Sequence, residues 1–144
     1  MFIKINDKYI NLKEVSSVNI LKNRVAFDFS TPVELDNGKL ISYYAYYDGN
    51  SEEFFQYLES LDFIKQNFIK ILKDNKTKGL VNINKICAIK FIEGERCIFN
   101  LSHSTTSVGF DNKVRLTSKF IYVDFSHKKE FEAYKIYVLN KIKG

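Results

Sequence analysis

The sequence predicts an α+β protein: two tandem, pseudo-symmetric units, each a β-meander followed by a helix, forming antiparallel sheet covered by helices. Three observations predict it. One stretch is written twice. Ile10-Asn11-Leu12-Lys13-Glu14-Val15-Ser16-Ser17-Val18 lies over Val81-Asn82-Ile83-Asn84-Lys85-Ile86-Cys87-Ala88-Ile89 without a gap. After one extra residue in the next turn, Arg24-Val25-Ala26-Phe27-Asp28-Phe29-Ser30 lies over Arg96-Cys97-Ile98-Phe99-Asn100-Leu101-Ser102. Later pairs continue the match: Asp36-Asn37 over Asp111-Asn112, and Glu53-Phe54 with Tyr57 over Glu130-Phe131 with Tyr134. Finally, each copy alternates apolar and polar residues at period two before changing to helical spacing. The first unit is read as residues 1–76 and the second as 77–144. Either half alone buries too little surface to be robust, so one compact unit with a shared core is expected.

In chain order, Phe2–Ile5 and 9–12 read as short strands around an Asn6-Asp7-Lys8 turn. Val15–Leu21 and 24–30 alternate and are joined by Lys22-Asn23, which is hairpin spacing. A loop over 31–38 holds the single proline, and 39–47 is a long β-branched and aromatic strand. Asn50 or Ser51 caps a helix with Glu52 and Glu53 in its first turn, where the macrodipole favours acids. Phe54, Tyr57, Leu58 and Leu61 share one face of it, and Asp62 interrupts it. Residues 63–72 read as a further helical connector and 73–79 as a polar linker. The second unit repeats the plan: strands at 80–83, 88–92 and 97–102, a long loop over 103–116, and a strand at 118–125. Ser126 then caps a helix whose apolar positions include Phe131, Tyr134, Val138 and Ile142.

The doubling assigns faces, because aligned strand residues must point the same way. Val25, Phe27 and Phe29 match Cys97, Phe99 and Leu101, and Tyr44 and Tyr46 match Ile121 and Val123. That set is the expected core face. The expected outer face carries Arg24, Asp28 and Ser30, Arg96, Asn100 and Ser102, and on the long strands Tyr43, Tyr47, Phe120 and Tyr122.

Composition narrows the function. At 45% hydrophobic residues the chain has enough for a core and too many for disorder. No apolar run approaches the ~20 residues needed to cross a bilayer, and residues 1–6 lack the basic start and apolar centre of a signal peptide. The expectation is a soluble, cytoplasmic protein. Residues 1–72 hold 8 basic and 10 acidic side chains and residues 73–144 hold 14 and 7, so the second half attracts anions. Only three of the 22 basic residues are Arg, the usual reader of guanine edges, which argues against dense sequence-specific DNA readout. Two cysteines, Cys87 and Cys97, make no disulfide framework. Together with His103 and His127 they match no zinc spacing, so neither metal nor cofactor is expected. Ser102-His103-Ser104 brings hydroxyls and imidazole together, but strand neighbours point to opposite faces and no third group orients them. No acid/base pair and no glycine-rich phosphate loop stand out, so the protein is read as no enzyme.

What remains is the outer face. Tyr43, Tyr47, Phe120 and Tyr122, with Arg24, Arg96 and the basic cluster Lys113, Arg115 and Lys119, are the candidate partner-binding residues. Tyr and Arg are enriched among strong protein contacts. The favoured reading is therefore a non-catalytic module that binds a protein or self-associates, an accessory or inhibitory protein of bacterial or mobile-element origin. Aromatics among basic groups on a sheet also stack bases and track phosphates, so the alternative is a single-stranded nucleic-acid binder. Four strands and a helix, written twice, resemble Whirly-type sheets and the saddle of the TATA-binding protein in outline. A likeness of fold carries no function.

Overall fold

The computed structural model describes residues 1–29, 33–34, 36–38, 40–41, 44–108 and 114–143, with the backbone alone at 33–34, 40–41, 102–108 and 114–118. It is a mixed α+β chain with antiparallel sheets. Strands β1 (Phe2–Ile5) and β2 (Lys8–Asn11) form a hairpin turned at Asn6, φ 52°. A 3-10 turn, Leu12–Glu14, follows, with Asn11 Oδ1 accepting the Lys13 N–H at 3.1 Å. Then come β3 (Val15–Leu21), β4 (Arg24–Phe29), a small pair β5 (Val33–Glu34) and β6 (Leu40–Ile41), and β7 (Tyr44–Asp48). Helix α1 (Ser51–Ser60) is capped by Asn50, whose Oδ1 accepts the Glu53 N–H at 3.1 Å. It breaks at Leu61, which is extended, and resumes as α2 (Asp62–Asn67).

The chain then departs from expectation. The helical connector over 63–72 ends at Asn67, and Phe68–Lys73 is strand β8, paired with β9 (Lys76–Asn82). Short apolar runs are ambiguous by periodicity alone, and here the strand buries Phe68 on one face and Ile69 on the other. The linker over 73–79 is mostly a turn and strand, with Asp74 and Asn75 at φ 53° and 61°, a region Asn and Asp tolerate. A second 3-10 turn, Ile83–Lys85, repeats the cap of the first, Asn82 Oδ1 accepting the Asn84 N–H at 3.0 Å. Strands β10 (Ile86–Ile92), β11 (Arg96–Val108) and β12 (Val114–Asp124) follow. The loop expected over 103–116 is therefore largely a long hairpin, with Thr105 to Val108 paired to Thr117 to Val114. The run that reads as loop contains Thr105, Thr106 and Val108, and such β-branched residues suit a pleated surface. Helix α3 (Lys128–Lys143) begins just after His127 rather than after Ser126.

Both stretches hold a hairpin, a 3-10 turn, further strands and a helix, but the first adds the pair β5–β6 and a second helix, α2, so the expected repeat is not matched element for element. They do not build two copies of one sheet. The first sheet has five strands, ordered β7-β4-β3-β9-β8, and the second has three, ordered β10-β11-β12. The hairpin β8–β9 widens the first, so the expected boundary at 76/77 falls inside β9. Gly79 permits the join: a Cβ there would meet the Val18 carbonyl oxygen at 2.5 Å.

Two cores result, with that hairpin between them. Phe68 and Leu80 belong to the first, with Val18, Phe27, Phe55, Leu58 and Ile64. Ile69 and Val81, from its other face, belong to the second, with Cys97, Phe99, Leu101, Val123, Tyr134 and Val138. Phe27 and Phe99 are both fully buried, as their alignment requires. The inward residues of α1 are Phe55 and Leu58, while Tyr57 is exposed. Phe54 and Leu61, half-buried, pack against the same core. At the free side of β8, the Tyr134 hydroxyl donates to the Lys70 carbonyl at 2.6 Å and the Tyr137 hydroxyl accepts the Lys70 N–H at 3.0 Å. Helix α3 thereby closes an edge that would otherwise offer itself for pairing.

Candidate functional site

On each sheet one strand carries an aromatic pair beside an arginine of its neighbour, β7 beside β4 and β12 beside β11. In the first, Arg24 stands opposite Asp48 and Ala26 opposite Tyr46. In the second, Arg96 stands opposite Asp124 and Ile98 opposite Tyr122. Antiparallel pairing puts the opposed and diagonal residues of one face within reach of one another. Arg24 Nε donates to Asp48 Oδ1 at 2.7 Å, and its guanidinium lies 4.4 Å from the Tyr46 ring centroid. Arg96 Nε donates to Asp124 Oδ1 at 2.5 Å, and its guanidinium lies 4.9 Å from that of Tyr122. The next aromatic stacks alongside: Tyr44 on Tyr46 at 6.4 Å and 13°, Phe120 on Tyr122 at 6.4 Å and 21°. Phe120 and Tyr122 are each 50% exposed and Tyr46 40%. Each strip is thus a solvent-facing run of two rings, one cation and one anion, with no net charge.

Several candidate residues stand elsewhere. Tyr47 points inward and stacks on Phe54 with centroids 4.0 Å apart, while Tyr44 and Tyr46 face outward and Ala45 is buried. The faces of β7 are therefore the reverse of those expected. Pairing aligns Tyr44 with Phe120 and Asp48 with Asp124, one residue from the sequence match, and one residue exchanges the faces of a strand. The signal that finds the register is Tyr46-Tyr47-Asp48 over Tyr122-Val123-Asp124, each downstream of its arginine. Arg24, Arg96, Phe120 and Tyr122 do lie outward as expected. Tyr43 and Lys113 lie outside the described residues, as does the side chain of Arg115, whose backbone pairs with Ser107.

Lys119 is not a surface cation. It lies opposite Leu101, its Nζ donates to Asp28 Oδ2 at 2.7 Å and Ser17 Oγ at 3.2 Å, and only 23% of its side chain is exposed. Asp28, expected on an open face, is fully buried. The second half covers this part of the first sheet, and the row Tyr44, Asp28, Ser17, Val81 crosses from open face to core. Burial raises the Asp28 carboxyl above its ordinary value, while the hydrogen bond and charge of Lys119 pull it back. Ser16 Oγ donates to the Asp28 carbonyl at 2.9 Å. The Oδ1 atoms of Asp28 and Asn100 are buried without a hydrogen-bond partner among the described residues.

Cys97 is buried and its thiol is pushed up to about 12 by desolvation, whereas Cys87 is exposed. A thiol reagent at pH 8 therefore labels Cys87 alone in the native protein and both residues in urea, which mass spectrometry reads directly. Among the described residues, no group of three or more His, Cys, Asp or Glu is placed to hold a metal ion, and no helix is long and apolar enough to cross a membrane. No protein-family model, curated protein or solved structure matches the chain.

Proposed function

We propose that this chain is a non-catalytic binding module that takes another protein as its partner and grips it through the two aromatic–arginine strips. One observation carries the reading: in both sheets an exposed arginine is seated on a tyrosine and held by an aspartate, with a second ring stacked beside it. Such groups are already ordered, so a partner meets large amphipathic side chains at small entropic cost. An exposed ion pair of this kind contributes only ~0–1 kcal/mol to folding, so the strips are dispensable for stability. An accessory or inhibitory role, exerted by occupying a partner's surface, suits such a module.

The excess of basic residues over 73–144 favours a second reading, single-stranded nucleic acid on the same rings. The local charge counts against it. Arg24 and Arg96 are each neutralised by an aspartate, and Lys119 is committed to Asp28.

The paired variants Arg24→Ala/Tyr46→Ala and Arg96→Ala/Tyr122→Ala test the proposal. Both are expected to melt within a few degrees of the parent. Capture from a native lysate, quantified by mass spectrometry, should show specific proteins falling at least about tenfold with either variant, a loss of roughly 1.4 kcal/mol. Identical captures would refute it. A mixed-sequence oligonucleotide bound at low salt and released steeply as salt rises would move the assignment to the second reading.

A further inference from the structure

The hairpins β1–β2 and β8–β9 share a tetrapeptide, Phe2-Ile3-Lys4-Ile5 and Phe68-Ile69-Lys70-Ile71. Their pairing agrees too: Phe2 stands opposite Asn11, Ile3 opposite Ile10 and Lys4 opposite Tyr9, as Phe68 stands opposite Asn82, Ile69 opposite Val81 and Lys70 opposite Leu80. In both, one face lies in a core of the chain, with Ile3 and Ile10 at 4% exposure and Ile69 and Val81 at 0%. Their other faces differ. Phe68 and Leu80 are 2% exposed, because β9 is laid along β3, whereas Phe2 and Tyr9 are 64% and 68% exposed.

An edge that matches β3 is also open. Strand β10 aligns with β3, yet among the described residues it pairs on one side only, with β11. Beside it runs a groove of about 390 Å³ lined by Ile83, Ile86, Cys87, Ala88, Ile89 and Ile142. Ile86 and Ile89 stand where β3 has Val15 and Val18. A polar clasp completes the comparison. Asn82 Nδ2 donates to the Val15 carbonyl at 2.8 Å, fastening β9 to β3. Asn11 holds its own 3-10 turn through Oδ1 in the same manner as Asn82.

We propose that a second copy of this chain lays its β1–β2 hairpin along the open edge of β10, as β8–β9 lies along β3 within one chain. The hairpin's Phe2 and Tyr9 fill the isoleucine groove, and its Asn11 amide donates to the Ile86 carbonyl. Lys8 stands at the place of Gly79, where a Cβ is too close to the neighbouring backbone, so the added strand pairs through Tyr9 and Ile10 and stops there. Such strand addition draws affinity from main-chain bonds and specificity from alternate side chains. It uses none of the strip residues and is independent of the partner-binding reading.

Sedimentation equilibrium of the full chain tests it. The average mass should rise with concentration to at least twice that of one chain. Phe2→Asp/Tyr9→Asp and, separately, Ile142→Asp should each return it to one chain without loss of native circular dichroism, since Phe2 and Tyr9 are largely exposed and Ile142 is 43% exposed. An equimolar mixture of the two variants should associate again, because one retains the groove and the other the hairpin. Asn11→Asp, which keeps the Oδ1 acceptor and removes the donor, should weaken association about tenfold. A single-chain mass at every concentration, or association indifferent to these variants, overturns the proposal.

Discussion

Lys119→Met is expected to destabilise the protein by about 3–5 kcal/mol at pH 7, because it leaves a buried carboxylate without its countercharge. Asp28 is fully buried, and one of its oxygens already lacks a hydrogen-bond donor among the described residues. Urea unfolding of the purified variant measures the loss. The double variant Asp28→Asn/Lys119→Met should recover most of it, since neither charge then remains to be desolvated. The pH dependence follows from the direction of the Asp28 shift. Its folded value is raised above 3.8, chiefly by burial, so the folded state keeps a proton that the unfolded chain releases. This group's contribution is fully present below the unfolded value and is lost as pH rises through the folded one. Removing Lys119 raises the folded value further. The cost of Lys119→Met should therefore be smallest in acid and grow towards neutrality, and a pH-independent cost would refute the pairing.

The second large effect is a contrast between two identical tetrapeptides. Phe68→Ala should cost about 3–5 kcal/mol, the usual result of emptying a buried phenylalanine site. Phe2→Ala, measured at a concentration where the chain is single, should stay within about 0.5 kcal/mol, as exposed substitutions do. Both residues begin a strand reading Phe-Ile-Lys-Ile, and both face away from the Ile3 or Ile69 side of their hairpin. The difference between them measures what docking on the first core is worth. Equal costs would mean that the hairpin β8–β9 is held by its Ile69 and Val81 face alone.

The α+β character and the inward sides of β4 and β11 were legible because Val25, Phe27, Cys97 and Phe99 alternate without ambiguity. The strips were half legible. The arginines and the pair Phe120 and Tyr122 stand out by parity, but β7 carries four consecutive residues, Tyr44-Ala45-Tyr46-Tyr47, whose alternation is weak. A match displaced by one residue then exchanged inside for outside. Strand β8 reads as helix in the sequence because ten residues of mixed apolar and lysine pattern suit either period. Its kinship with Phe2–Ile5 was the available clue. The ion pair of Asp28 with Lys119 spans 91 residues, and no local pattern encodes a partner so distant. Nor does any pattern announce that β9 leaves its own meander to complete another sheet.

That last arrangement constrains how the protein is made. Strand β3 acquires its outer neighbour only from Gly79, Leu80 and Val81, which leave the ribosome after the whole of α1, α2 and β8. Until then the nascent chain carries an unsealed flank, an invitation to mispairing during synthesis. Its first core becomes protease-resistant late, when the downstream hairpin arrives, and a fragment terminated at Asn67 never reaches that state.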